Sequence, residues 1–455
     1  MAERLLRRLL YRPEGLLVTT FAALIAAGTI ALRLPVCHAG ETIGLLDALF
    51  TATSAVCVTG LITHDTATEF SRAGQIVILV LIQLGGLGLM TFGALAFQLF
   101  RRRVSFQSHA AMQDLFFQGE LRGSLRAALG QIVLFTILIE AAGALLLYAG
   151  MNLDGPPRGH AFEAVFLSIS AYCNAGFSVY SDSAMGLRDS NLIMWTLMTL
   201  IVLGGLGFAV LFEMRQRLWR RLRRRRGGSV VWTLHARVVL ATSFALIGGG
   251  MVLLLVTGLT DGETTLASRV FNALFQSVTA RTAGFNTVDI AALPVASLLV
   301  LIPLMFIGGS PGSCAGGIKT TSICVWLARV RARLTGQRDV TLGQRRIPQD
   351  VVRRAALVFA LAALWNLVGV GVLTMSEHVG HNDLRLEQVI FEQVSAFGTV
   401  GLSTGITPGL SVVGKIWIIL SMFAGRLGPL TIALAVLQEQ TAPVFRYPEE
   451  RVMIG

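Results

Sequence analysis

The stretch Val56-Cys57-Val58-Thr59-Gly60-Leu61 (VCVTGL) lies between two apolar segments, and its reading decides the fold. It reads as a turn at membrane depth, where irregular backbone exposed to lipid leaves polar groups unsatisfied. Variants of the stretch return three times. TSAVCVTGLIT (53–63), ISAYCNAGFSV (169–179), VTARTAGFNTV (278–288) and VSAFGTVGLST (394–404) align on Gly60, Gly176, Gly284 and Gly401. Each glycine comes a little more than a hundred residues after the last, the mark of tandem structural units.

The surrounding chain has membrane composition. Of its 455 residues, 54% are hydrophobic and 14% charged, which is more apolar surface than a soluble chain can hide. Apolar runs at 14–36, 73–100, 126–150, 190–213, 236–260, 351–375 and 411–437 exceed the roughly 18 residues that suffice to cross a bilayer. The first is an ordinary first helix rather than a cleaved leader, because no clear small-residue cleavage site follows it.

The net charge of +12 does not indicate nucleic acid, because of where the charges sit. Arginines cluster at 7–12, 101–103, 215–226 and 328–338, at one set of span ends, while Glu41, Asp65, Glu69, Asp154, Asp261, Glu263 and Asp289 gather at the other. That asymmetry places the N-terminus and the arginine clusters in the cytoplasm. There they anchor against anionic membrane lipids, and the same charges can dock a cytoplasmic partner. Five cysteines without a CxxC, and a lone HxxH at His378 and His381, make neither a disulfide framework nor a metal site.

Ahead of each aligned glycine runs an amphipathic stretch too short to span, of the length that suits a re-entrant half-helix. A full span precedes it and a second follows, with its own glycine cluster at Gly85-Gly86, Gly204-Gly205, Gly308-Gly309 or Gly425. The predicted fold is an all-α polytopic membrane protein. Four tandem helix–pore loop–helix repeats are arranged pseudo-fourfold around one central pore. The units are 1–104 (pore loop 43–62), 105–227 (pore loop 160–178), 228–340 (pore loop 267–286) and 341–438 (pore loop 386–403), with a tail at 439–455. Eight spans return the C-terminus to the cytoplasm.

Four such loops around an axis can replace the water around a cation with carbonyl oxygens. Glycine allows the positive φ that this requires, and the half-helices aim their partially negative ends at the pore. The candidate filter is Val58, Thr59 and Gly60 with Asn174, Ala175 and Gly176, Thr282, Ala283 and Gly284, and Thr399, Val400 and Gly401. The loop 308–317, with Gly308, Gly309, Gly312, Gly316 and Gly317, interrupts a span that would run from 293 to 335. It reads as a gate, against the alternative of a structural kink. Its GGIKT end follows no soluble strand, so a phosphate-binding loop is rejected. Lys319 marks the cytoplasmic edge.

Arg426 lies well inside a span, where a charge costs at least ~2.5–3.5 kcal/mol. It is read as a positive barrier beside the loop 308–317, against a snorkelling surface arginine. Arg281 is read as bracing the third pore loop from behind, paired with Glu392 or Glu163. Glu140 and Asn366 fall at equivalent depth in their units. Interhelical hydrogen bonding is the preferred reading of both, ahead of proton coupling at Glu140.

TARTAGFNT (279–287), GGSPGSCAGGIKT (308–320), FAGRLGPLT (423–431) and FRYPEERVMIG (445–455) together resemble the Trk/Ktr/HKT potassium transporter superfamily, most closely its Ktr membrane subunits of KtrB type. The resemblance covers nearly the whole chain. It implies potassium uptake, with K+ at the filter as the only metal, no cofactor in the chain, and frequent stimulation by sodium. Glycine at all four filter positions goes with potassium preference. The partners implied are a second copy, giving a homodimer with one pore per subunit, and a separate cytoplasmic nucleotide-binding ring of KtrA-like type. The location implied is the bacterial plasma membrane. Pro311 and Cys314 depart from the small residues or threonine common in the family's gating loop. An obligatorily Na+- or H+-coupled K+ symporter remains the alternative. Repeats of one orientation argue against an inverted-repeat carrier of organic solutes. Without clustered catalytic groups or a Walker motif, the chain does not read as an enzyme.

Overall fold

The computed structural model describes residues 13–100, 125–153, 160–222, 232–259, 265–380, 384–428 and 431. The arginine runs 7–12 and 101–103, the end of the run 215–226, the tail 439–455 with FRYPEERVMIG, His381, Asp154, Asp261 and Glu263 lie outside them.

The described residues form four successive sets of helices. The first set is α1 (Pro13–Leu32), α2 (Leu45–Val56) and α3 (Arg72–Phe100); the second is α4 (Leu125–Leu153), α5 (Ala161–Cys173), α6 (Asn191–Leu206) and α7 (Phe208–Leu222). The third is α8 (Leu234–Val256), α9 (Leu266–Thr279), α10 (Val295–Phe306) and α11 (Thr320–Leu334), and the fourth is α12 (Gln349–Val379), α13 (Leu386–Gly398) and α14 (Val412–Leu427). A small antiparallel hairpin, β1 (Thr341–Leu342) with β2 (Arg345–Arg346), joins the last two sets.

The first helix of each unit carries a stretch long and apolar enough to cross a membrane: Gly15–Leu32, Leu129–Leu153, Leu234–Val256 and Gln349–Val379. Within the chain only 39%, 28%, 22% and 22% of these windows are buried, as suits helices that face a membrane. The short helices α2, α5, α9 and α13 have 12, 13, 14 and 13 residues. Beyond their first turns they are almost wholly buried, so they lie inside the ring of spans.

Packing closes the ring. Helix α5 packs against α3, α9 against α6, α13 against α10, and α2 against α14. Each short helix therefore rests on the second helix of the preceding unit, and the order returns from the fourth unit to the first. The chain is a polytopic membrane protein with four helix–loop–helix repeats around a pseudo-fourfold axis. The repeated glycine cluster has a steric cause. A β-carbon at Gly85, Gly204 or Gly425 would collide with the carbonyl oxygen of Val56, Tyr172 or Phe397 at the end of the same unit's short helix.

Ion pairs also tie seams between units. Lys415 Nζ lies 2.8 Å from Asp47 Oδ1, joining the fourth unit to the first. Arg72 pairs with Glu163 at 2.6 Å and stacks over Phe162, joining the first to the second.

Two second helices are broken, one where the sequence led to expect an interrupted span, at 308–317, and one where it did not. The run 190–213 reads in the sequence as one crossing, but α6 stops at Leu206 and α7 leaves it at 109°. The cause is Gly207, at φ 84° and ψ 147°, a conformation left almost entirely to glycine. Helix α10 stops at Phe306 and the chain re-enters a helix only at Thr320.

Candidate ion-conduction site

The backbone of the four central loops repeats residue by residue. Two positions before each aligned glycine, Val58, Asn174, Thr282 and Thr399 have φ of 58°, 59°, 75° and 51°. Gly60, Gly176, Gly284 and Gly401 have φ of 95°, 70°, 79° and 92°. A left-handed residue that is not glycine is uncommon, and here it occurs at the same place in four different sequences. The turn is held from the short helix below it. The amides of Thr59, Ala175 and Val400 donate to the carbonyls of Ser54, Ser170 and Ser395 at 2.8, 2.7 and 2.9 Å. The third loop carries Val278 where the others have serine, and there Ala283 donates to Thr279 at 2.9 Å.

The four glycines face one another in cyclic order. A β-carbon built on Gly60 would lie 2.5 Å from the Ala175 carbonyl oxygen, and one on Gly176 would lie 2.9 Å from that of Ala283. One on Gly284 would lie 2.5 Å from the Val400 oxygen, and one on Gly401 would strike the Thr59 oxygen. So the carbonyl preceding each glycine lies against the glycine of the preceding unit. All twelve candidate filter residues fall in these four turns. Beneath them the Asn174 amide and the Thr282 hydroxyl are 3.3 Å apart. The buried hydroxyls of Thr59 and Thr399 have no hydrogen-bond partner among the described residues.

A cavity of about 260 Å³ opens on one side of this ring, with all four glycines in its lining. Asp65 and Asp289 line it as well, so its potential favours cations. Ser403 and Thr407, also in its wall, donate to the buried Glu392 carboxylate.

On the other side lies the loop 308–317, which touches all three other units. Its amides satisfy carbonyls that the ends of helices α6 and α14 leave open. Ser310 donates to Gly205 at 3.0 Å, Cys314 to Gly204 at 3.2 Å and Gly317 to Gly425 at 3.3 Å. Toward the first unit, the Cys314 thiol lies 3.9 Å from the Gly86 oxygen. Gly316 backs directly onto the Thr399 side chain, where a β-carbon would collide with it. Arg426 is buried, donating to Gly85 O at 2.7 Å and to the carbonyl of Cys314. Gly308 and Gly309 are held at the loop's root, where Gly308 donates to Ile318 O and Gly309 accepts from Thr320. Gly312, at φ 72°, accepts from the amide of Phe208. Lys319 folds back and donates to Ala315 O.

Among the described residues, neither carboxylate predicted for Arg281 pairs with it. Glu163 pairs with Arg72, and Glu392 serves Ser403 and Thr407. Arg281 is buried and donates instead to Gly308 O, at 3.4 Å. It thus links the third central loop to the root of 308–317. The reason is position: Arg281 follows the end of α9, Glu163 lies in the first turn of α5 against Arg72, and Glu392 is buried in the middle of α13 against the loop that follows it. Glu140 accepts from Gln83 Nε2 at 3.1 Å, tying α4 to α3, whereas Asn366 donates within its own helix to Ala362 O. Equivalent depth therefore did not mean equivalent bonding.

The model of the family described as TrkH, cation transport protein, matches residues 14–444. The chain belongs to this family. The potassium/sodium uptake protein NtpJ of Enterococcus hirae is 36% identical, with 100% of this chain and 99% of that protein covered. The Ktr system potassium uptake protein B of Bacillus subtilis is 32% identical over 100% and 99% of the two chains. The crystal structure of the potassium transporter TrkH from Vibrio parahaemolyticus superposes with a TM-score of 0.72 over 92% of this chain and 83% of that one. At 21% identity that last likeness bears on the fold alone.

In this TrkH-family protein, two features of the site escaped the sequence reading. One is the break at Gly207, which a third glycine after Gly204-Gly205, followed by an arginine-rich amphipathic run, could have signalled. The other is the docking of loop 308–317 onto the glycine clusters of the other units. Those contacts join residues more than a hundred positions apart, beyond the reach of any local pattern.

Proposed function

We propose that this protein is the ion-translocating subunit of a potassium uptake system. Potassium sheds its water in the ring of the four loops, against carbonyls of the candidate filter residues. The loop 308–317 with Arg426 closes the path beneath, and Arg281 braces the loop from the third unit. The observation that carries this reading is the cyclic apposition of four positive-φ glycines, each facing the carbonyl before the next. Two relatives named for potassium uptake, aligned over essentially the full chain, support the choice of ion.

The driving force is the membrane potential. An inside-negative 100 mV is worth ~2.3 kcal/mol per charge and a tenfold gradient ~1.4 kcal/mol, so that potential holds a roughly 40-fold excess inside. The subunit works as a homodimer with a pore in each copy, in the bacterial plasma membrane, with both termini cytoplasmic. A KtrA-like nucleotide-binding ring controls it from that side. The name of the Bacillus relative, a component of a Ktr system, supports a separate partner. Sodium acts as an activator rather than as obligatory co-substrate.

The test is flux through proteoliposomes carrying the purified chain, comparing potassium, rubidium, sodium and lithium, with Gly60→Ser beside the wild type. Potassium and rubidium flux whose selectivity collapses in Gly60→Ser supports the reading. Equal selectivity in the two proteins overturns it. Flux that appears only on adding the regulatory subunit assigns the closed state to the gate.

A further inference from the structure

Helix α7 follows the apolar helix α6, of 16 residues, and is turned 109° from it. An apolar helix packed among the spans and followed by a turn of about a right angle sends the next helix close to the membrane plane. Arginines in and after α7 place that plane at the cytoplasmic headgroups.

Burial changes along α7. Val210 and Leu211 are buried with Ala236 and Val239 of α8. Glu213 accepts from both the amide and the hydroxyl of Thr233, and pairs with Arg217 at 3.1 Å. Arg217 in turn stacks 3.7 Å over Trp232. These contacts fix the helix to the protein. Past the buried Val210 and Leu211, the later turns of the helix carry Met214, Leu218 and Leu222 in an i, i+4, i+8 stripe, with Trp219 beside it. They are 37%, 60%, 71% and 55% exposed. Arg215, also exposed, flanks the stripe, and RRLRRRR (220–226) continues the charge along the chain.

Exposed apolar side chains along α1, α4, α8 and α12 need no special account, because hydrocarbon covers them. The α7 stripe is different, since it lies beyond the right-angle bend at Gly207. An apolar stripe bordered by arginine on a helix in the membrane plane matches the boundary between acyl chains and anionic headgroups. We infer that α7 is an interfacial helix that binds anionic phospholipid through Met214, Leu218, Trp219, Leu222 and Arg215. The bound helix then fixes one anchor of the loop 308–317. The amide of Phe208, the first residue of α7, donates to Gly312 O at 3.1 Å, and Phe208 packs with Cys314.

The contact can be read without any flux, so its failure is separable from failure of the transport reading. The full chain is placed in nanodiscs containing bromine-labelled phosphatidylglycerol or bromine-labelled phosphatidylcholine, and tryptophan quenching is compared between wild type and Trp219→Phe. A quenched component with brominated phosphatidylglycerol that disappears in Trp219→Phe is the expected result. Identical quenching in the two proteins overturns the inference and means that protein, a second copy or a soluble partner, covers this face. In Arg215→Gln the preference for brominated phosphatidylglycerol over brominated phosphatidylcholine should fall about fivefold, as loss of one arginine at an anionic surface implies. An unchanged preference overturns the anionic part.

Discussion

The guanidinium of Arg426 donates to the carbonyl oxygen of Cys314, so a charge on the fourth unit is fastened to the loop of the third. Its other nitrogen reaches Gly85 O of the first unit at 2.7 Å. Both are charge-assisted bonds in a buried place, where they are stronger than neutral ones. Arg426→Ala removes the fastening and the positive charge together. Potassium or rubidium flux into proteoliposomes should then rise about tenfold, as for a barrier lowered by ~1.4 kcal/mol. Unchanged flux would count against a gate at this place.

The four ring glycines should not be equally intolerant. Any side chain there costs roughly 1–2 kcal/mol for the left-handed backbone, which is common to all four. The added collision differs. A β-carbon at Gly176 keeps 2.9 Å from the nearest carbonyl oxygen, one at Gly60 or Gly284 has 2.5 Å, and one at Gly401 has less. The rubidium-to-sodium flux ratio of single alanine variants should therefore fall least in Gly176→Ala and most in Gly401→Ala. The reverse order would show that the ring relaxes independently of these contacts.

Gly207 combines a positive φ with an extended ψ, and a β-carbon there would lie 2.5 Å from Pro311 O. Gly207→Ala should cost about 1–3 kcal/mol of strain and push the loop 308–317 away from α6. Thermal unfolding in detergent should show the lost stability, and flux should rise. A variant with wild-type melting and flux would mean that the bend survives without glycine.

Arg281→Gln tests which loop the arginine serves. It donates to Gly308 O, so the variant should alter flux amplitude while leaving the potassium-to-sodium ratio close to wild type. A collapse of the ratio instead would assign Arg281 to the ring itself.

The seam between the first and fourth units should be acid-sensitive. Burial would raise the Asp47 carboxyl, but the hydrogen bond and charge of Lys415 outweigh it and hold the group below its usual value. A carboxyl lowered in the folded state adds stability that is full above its unfolded value, near ~3.9. That stability is lost as pH falls from there through the lowered folded value. Melting temperature measured from pH 6 to pH 3 should drop more steeply below about pH 4 in wild type than in Lys415→Met. Parallel curves would show that the pair does not contribute.

Much of this fold was legible along the chain. The recurrence of a glycine after a short amphipathic stretch, four times at near-equal spacing, determined the repeat number and the place of the central loops. Composition determined the membrane, because so much apolar surface has no other solvent. Even the positive φ of Gly60, Gly176, Gly284 and Gly401 was foreshadowed, since glycine is the residue that adopts it without cost.

What the chain could not display was which unit touches which. The apposition of Gly60 with Ala175, and of Gly401 with Thr59, depends on four units closing into a ring, a relation between segments more than a hundred residues apart. Arg281 shows the limit most plainly. Its sequence suggested a carboxylate partner because charges attract, but helix geometry carried both candidate acids elsewhere and left a backbone carbonyl at Gly308. The break at Gly207 is similar. A glycine permits a helix or a bend, and only the loop 308–317, taking up the carbonyls of Gly204 and Gly205, made the bend the stable choice.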